Sequence, residues 1–269
     1  TPTLSSAASD VYKRQQQRIK DEGLKDEAEL QSYFIRRIEK IINKRGKNMI
    51  GWDEILEGGL APNATVMSWR GEKGGIASAK AGHDVIMTPN SYCYIDLKQG
   101  PDDFEPNLGY SKLWLSTAYS YNVIPESLTD KEAAHILGIQ ANLWTESISD
   151  WGKLTYMTFP RLYAIAENGW TPESRQDWDD FTTRLWPHLQ KLTAQNVRYA
   201  TSAYNVNIEQ LSKGHEMAIA MTTEVNGLDI YYSLDGKTPT RSSTLYEGPF
   251  LLQENATIKA IAYQNGERV

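Results

Sequence analysis

A single cysteine, Cys93, occurs in the 269 residues, so the chain closes no internal disulfide and assembles neither a thiol redox pair nor a cysteine zinc cluster. That count leaves the compartment open. No run of about 18 apolar residues and no charged-then-apolar leader occurs, and no segment is expected to span a membrane. Lys and Arg number 28 against 34 Asp and Glu, for a net charge of −6, and form no basic block. The electrostatic footprint of nucleic-acid or anionic-lipid binding is therefore missing. The four histidines, His83, His135, His188 and His215, each stand without a second ligand at metal spacing, and neither a metal nor a cofactor is expected.

What the chain does have is aromatic surface: eight Trp and fifteen Tyr. Flat rings with a polar handle serve either a Trp-rich core or the stacking faces of a sugar site, and position decides between them. Residues 1–15 carry no hydrophobic period. Within them Asp10-Val11-Tyr12-Lys13-Arg14-Gln15 matches the translation of a transposon adaptor used in shotgun sequencing, so the segment is set aside as a non-native scar. From Asp26 to Arg45, Leu30, Phe34, Ile38, Ile41 and Ile42 recur at three- and four-residue steps, the period of an amphipathic helix ending at Gly46.

Strands and helices then alternate. Lys47 to Trp52, Thr65 to Trp69, Asp84 to Met87 and Ile136 to Trp144 read as strands, with helices at Gly74 to Ala81, Tyr156 to Glu167 and Trp178 to Gln195. That order implies parallel β/α units. Trp52, Trp69, Tyr94 and Trp144 fall at or beyond the C-terminal ends of these strands, with Asp53, Asp96 and Glu146 beside them. Such placement predicts the catalytic face of a TIM barrel. Four units are half of one, so the expected fold is α/β, the second half of a (β/α)8 barrel over residues 16–204. The competing architecture is a doubly wound sheet, against which stands the lack of any Gly-rich phosphate-binding turn after a strand. Beyond Asn205 the texture becomes period-two alternation broken by Asp-Gly, Lys-Thr-Pro-Thr and Gly-Pro turns. Residues 205–269 are accordingly predicted to form a small antiparallel, sandwich-like β module. It is expected to be truncated, because Asn265-Gly266 reads as a hairpin turn with its second strand missing.

Five ordered blocks carry a resemblance. Gly51-Trp52-Asp53-Glu54-Ile55-Leu56, Met67-Ser68-Trp69-Arg70-Gly71, Tyr94-Ile95-Asp96, Gln140-Ala141-Asn142-Leu143-Trp144-Thr145-Glu146, and Phe159-Pro160-Arg161-Leu162 with Ala166-Glu167 resemble successive blocks of glycoside hydrolase family 20. The tail around Ile230 to Thr240 is similar to the β module appended to chitobiases and hexosaminidases. The resemblance implies release of a terminal N-acetylglucosamine or N-acetylgalactosamine with retention, the substrate's own acetamido carbonyl acting as nucleophile. It implies N-acetylhexosamine-terminated glycans as partners, and it suggests a periplasmic or secreted protein.

By the same resemblance Trp52, Trp69 and Trp144 wall an acetamido pocket, with Trp144 also carrying the sugar ring. Tyr94 donates its hydroxyl to the acetamido oxygen, and Asp96 and Glu146 accept from the hydroxyls at C4 and C6. The family pattern gives Asp53 and Glu54 a scaffold role, while Arg161 and Glu167 read as a structural pair. Trp114, Tyr119 and Tyr121 lie in a long irregular stretch and receive no role. The family's His-x-Gly-Gly-Asp-Glu block, which holds its orienting Asp and general-acid Glu, does not occur in this sequence. The chain by itself is thus expected to be inactive. Two other readings remain at this point: a non-catalytic carbohydrate-binding protein, and a different barrel glycosidase using Asp96 and Glu146 as its carboxylate pair.

Overall fold

A computed structural model describes residues 4–102, 105, 111–213 and 216–269. In chain order the elements are α1 (Leu4–Asp21), α2 (Glu27–Asn43), β1 (Ile50–Trp52), β2 (Thr65–Ser68), α3 (Lys73–Lys80), β3 (Val85–Met87), α4 (Asn90–Cys93), α5 (Leu115–Tyr119), α6 (Asp130–Ala133), β4 (Ile136–Ile139), α7 (Trp151–Thr158), α8 (Arg161–Trp170) and α9 (Trp178–Ala194). Then follow β5 (Asn207–Lys213), β6 (Glu216–Thr222), β7 (Asp229–Ser233), β8 (Thr244–Leu245), β9 (Phe250–Leu251), β10 (Lys259–Gln264) and β11 (Glu267–Arg268). They divide into two compact units. The first runs to Cys93 and takes in Asn122–Ala141; the second comprises Tyr94–Tyr121 and Asn142–Val269.

In the first unit β1, β2, β3 and β4 form one parallel sheet whose spatial order is the chain order. The ladder registers Gly51 on Val66, Val66 on Val85 and, past a bulge, Ile86 on Gly138. A doubly wound sheet reverses its strand order at a switch point; these four strands do not reverse. The fully buried Val66, Val85 and Met87 follow from helix coverage of a parallel sheet. Gly75 of α3 lets that helix approach closely: a Cβ there would stand 2.7 Å from the Met87 sulfur and 3.1 Å from Ser68 Cβ.

Helix α2 starts at Asp26, whose carboxylate accepts the Glu29 amide at 3.0 Å and satisfies one of the free N–H groups of the first turn. Its buried face differs from the predicted one. Ile35, Ile38 and Ile42 pack against Met49, Ile55, Ala61, Ala64 and Val66, whereas Phe34 and Ile41 are more than half exposed. Both stripes have helical spacing, and the sheet selects one. Helix α1 covers much of the segment set aside as a scar and packs against α2, with Ile19 buried.

In the second unit α5 packs on α8, and Tyr119 stacks on Phe181 of α9 with ring centroids 4.6 Å apart. The single helix expected from Tyr156 to Glu167 is two, α7 and α8, separated by an extended Phe159 (φ −104°, ψ 140°) before Pro160. The proline ring bars the preceding residue from helical geometry.

Two antiparallel sheets follow, β5-β6-β9 and β11-β10-β7-β8. Ile219 and Met221 of the first share a core with Ile230 of the second, flanked by Tyr232, Tyr246 and Phe250. The hairpin at Asn265-Gly266 does have its second strand. Short as β11 is, it pairs Tyr263 with Arg268 and Gln264 with Glu267, and Asn265 and Gly266 take the positive φ values (50° and 82°) that a tight hairpin turn requires.

Candidate active site

The first unit holds a strand-end cluster around Trp69. β1 ends at Trp52, and a short 3-10 turn, Asp53–Leu56, follows. Asp53 is 2% exposed; its Oδ2 accepts the amides of Trp69 and Arg70, each at 3.1 Å, and its Oδ1 accepts Arg70 Nε at 2.6 Å. Glu54 turns the other way and receives the indole N–H of Trp69 on both carboxylate oxygens at 3.0 Å. Arg70 also reaches Glu57 at 3.1 Å. The bond to Asp53, then that to Glu57, raise the guanidinium's pKa further. Trp52 and Trp69 are both half-buried.

The second unit holds Tyr94, Asp96, Trp144 and Glu146. Tyr94 pairs with Asn142 in an isolated parallel bridge, and the Ile95 amide donates to the Asn142 carbonyl at 2.8 Å. That short ladder brings together the rings of Tyr94 and Trp144, with centroids 6.1 Å apart and planes inclined at 55°. Tyr94 is buried, while Trp144 is 41% exposed and presents ring surface to solvent. Asp96 has one carboxylate oxygen, Oδ1, that is buried without a hydrogen-bond partner. Burial is the first cause of its raised pKa; the negative charge of Glu146 adds to the rise, while backbone amides and the Arg161 charge oppose it. Glu146 itself is exposed.

Sequence reasoning missed what lies behind this segment. Arg161 and Glu167 are not a pair. Arg161 is fully buried and donates to the carbonyls of Ile95 at 2.7 Å, Met157 at 3.0 Å and Leu113 at 3.1 Å. Glu167 instead meets Arg184 of α9 at 2.7 Å. Burial lowers the Arg161 pKa to about 9, and Glu105, Asp96 and Glu224 oppose that fall with their negative charge. Glu105 in turn accepts hydroxyls from Tyr156 and Ser202. Glu224, in the loop after β6, accepts the Ser116 amide and hydroxyl at 2.8 and 2.6 Å. An arginine set directly after a proline, with an apolar run following, was the available signal.

The histidines have ordinary partners. His83 Nδ1 lies 3.0 Å from the Ala64 carbonyl, His135 Nδ1 lies 3.1 Å from Asp84, and His188 packs on Tyr163. His215 lies outside the described residues. Among the described residues no three His, Cys, Asp or Glu side chains gather as a metal site.

Residues 6–173 match the family described as "Glycosyl hydrolase family 20, catalytic domain". The chain belongs to this family. Family 20 membership covers both clusters above, and residues 219–269 separately match the description "Fn3 associated". A beta-hexosaminidase of Porphyromonas gingivalis is 43% identical over 254 residues, covering 91% of this chain and 32% of that protein. Among solved structures, the family 20 exo beta-N-acetylglucosaminidase of Vibrio harveyi in complex with N-acetylglucosamine aligns with a TM-score of 0.61 at 33% identity. The alignment covers 70% of this chain and 30% of that one. The family 20 beta-N-acetylhexosaminidase of Streptomyces coelicolor aligns with a TM-score of 0.57 at 30% identity, covering 64% and 36%. The chain thus spans about a third of the length of these relatives.

Proposed function

We propose that this chain supplies the sugar-binding wall of an exo-β-N-acetylhexosaminidase that releases terminal N-acetylglucosamine or N-acetylgalactosamine with retention. The observation that carries the reading is Asp96. Its Oδ1 is buried without a partner, two residues from a tyrosine whose ring packs on the half-exposed Trp144. A buried acceptor left open beside aromatic surface suits a sugar hydroxyl, and polar groups built for a hydroxyl reject ligands that lack it.

In the proposed reaction the acetamido carbonyl oxygen of the substrate attacks the anomeric carbon as the glycosidic bond breaks. An acid protonates the departing oxygen, and water then opens the oxazolinium intermediate. Trp52, Trp69 and Trp144 hold the acetamido group bent for attack and exclude water. Tyr94 donates to the acetamido oxygen and shares the charge that develops there. Asp96 and Glu146 accept from the C4 and C6 hydroxyls. No residue of this chain is assigned as the proton donor, since the His-x-Gly-Gly-Asp-Glu block is not in the sequence.

The chain-order parallel sheet supports the second half of a (β/α)8 barrel for residues 16–204, with 205–269 as a separate β module. Family membership and the hexosaminidase names of the relatives favour the hydrolase over a non-catalytic binder and over a glycosidase using Asp96 and Glu146 as acid and base. The test is aryl N-acetyl-β-glucosaminide hydrolysis by the product of the complete gene. Tyr94→Phe is expected to lower kcat by roughly 10²–10³, as for loss of one oxyanion donor, and Asp96→Asn to raise KM. Absence of activity in the wild type, or a Tyr94→Phe variant as fast as wild type, would sink the reading.

A further inference from the structure

We propose that the adjacent carboxylates Asp53 and Glu54 form a positioning pair whose common target is Trp69, and that Glu54 thereby sets the size of N-acyl group the enzyme accepts. The inference rests on the reading of Trp69 as a wall of the acetamido pocket.

Two acidic neighbours at a strand end suggest an acid pair for chemistry. Here both are committed to one tryptophan. Asp53 holds its backbone through the amides of Trp69 and Arg70, and Glu54 holds its ring, both oxygens 3.0 Å from Nε1. An indole N–H is a donor with one direction, so a carboxylate straddling it fixes the ring's rotation as well as its location. The charge-assisted bond is about twice as strong as a neutral one. Arg70 bonds Asp53 through Nε and Glu57 through Nη1, and both Asp53 and Glu54 act on its charge, which offsets the repulsion of neighbouring carboxylates. Asp53 has no room to move, because Gly74 backs it so closely that a Cβ there would stand 2.9 Å from Asp53 Cβ. The ring is thus anchored at both ends, through the backbone by a buried group and through its edge by Glu54. A wall held this way has a fixed distance to whatever it encloses.

An apolar pocket of fixed size discriminates against one extra methylene by roughly 10–200-fold; a wall free to tilt gives up part of that. The experiment compares N-acetyl with N-propionyl aryl β-glucosaminides on the product of the complete gene. In parallel, the Trp69 indole N–H resonance is followed in the chain, assigned by its disappearance in Trp69→Phe. Glu54→Leu is expected to move the indole resonance toward that of a free indole and to raise the N-propionyl to N-acetyl ratio of kcat/KM by about tenfold. Glu54→Asp, one methylene shorter, should shift both in the same direction, which keeps the test alive if the leucine variant fails to fold. Glu54→Gln retains an acceptor and should stay closer to wild type than either. An unmoved resonance in Glu54→Asp and Glu54→Leu overturns the positioning role, and a moved resonance with an unchanged ratio overturns the specificity role. A wild type inactive on the N-acetyl substrate sinks the proposed function and the specificity role together, while the resonance still reports on the pair.

Discussion

The guanidinium of Arg161 donates at 2.7 Å to the carbonyl of Ile95, the residue between Tyr94 and Asp96. A fully buried cation on α8 therefore holds the backbone from which both of these side chains project. Its other two bonds, to Leu113 and Met157, tie the same segment to the start of α5 and the end of α7. The negative charge of Glu105, Asp96 and Glu224 counters the burial that would otherwise lower its pKa further.

Arg161→Met should destabilise the chain by about 3–5 kcal/mol, because it strands three carbonyls and leaves the surrounding carboxylates without their counter-charge. Arg161→Lys should recover only part of this, since an ammonium lacks the planar fork that reaches several acceptors. Urea unfolding measures both, and a loss below about 1 kcal/mol for the methionine variant would contradict the role.

Asp96 and Glu224 each contribute to the pH dependence of stability. Both carboxyls titrate above their ordinary range, burial being the first cause in each. A raised folded-state pKa contributes stability that is complete below the unfolded value and is lost as pH rises through the folded value. Asp96→Asn removes that loss, so the variant should gain on the wild type between about pH 3 and about pH 7. Urea midpoints at the two pH values decide it; a variant that loses ground as pH rises would reverse the sign.

Gly75→Ala tests how closely α3 approaches the sheet. Alanine favours a helix over glycine by up to about 1 kcal/mol, but its methyl would enter the fully buried contact with Met87 and Ser68. Overpacking costs typically about 1–3 kcal/mol. A net loss of stability is expected in thermal unfolding, and a stabilised variant would show that the helix can move away.

The 269-residue chain purified by itself should hydrolyse no aryl N-acetylglucosaminide, for want of a proton donor for the leaving oxygen. Turnover above background that vanishes in Tyr94→Phe or Glu146→Gln would overturn this and place the acid within the chain.

Much of the fold was legible because its signals are local. Strands β1 to β3 and helices α2, α3 and α9 appear within a few residues of their predicted places, since hydrophobic period, capping residues and glycines act over one or two turns. Strand β4 starts where expected but ends at Ile139, five residues before Trp144. The break between α7 and α8 was legible too, in Pro160, but the continuing apolar pattern on both sides masked it. The strand-end aromatics and acids were visible as residue types in order. Their partners were not, as the case of Glu54 and Trp69 makes plain: the carboxylate holds an indole 15 residues away.

What the chain of residues determined unaided is the succession of elements and the chemistry available at each strand end, because both depend on neighbours in sequence. Tertiary structure alone decided which stripe of α2 is buried and that α8 sends its arginine to carbonyls 48 and 66 residues distant. It also decided that Asp96 keeps a buried oxygen open. Burial and the compensation of a buried charge are set by whatever packs nearby in space, and no window along the chain contains those groups.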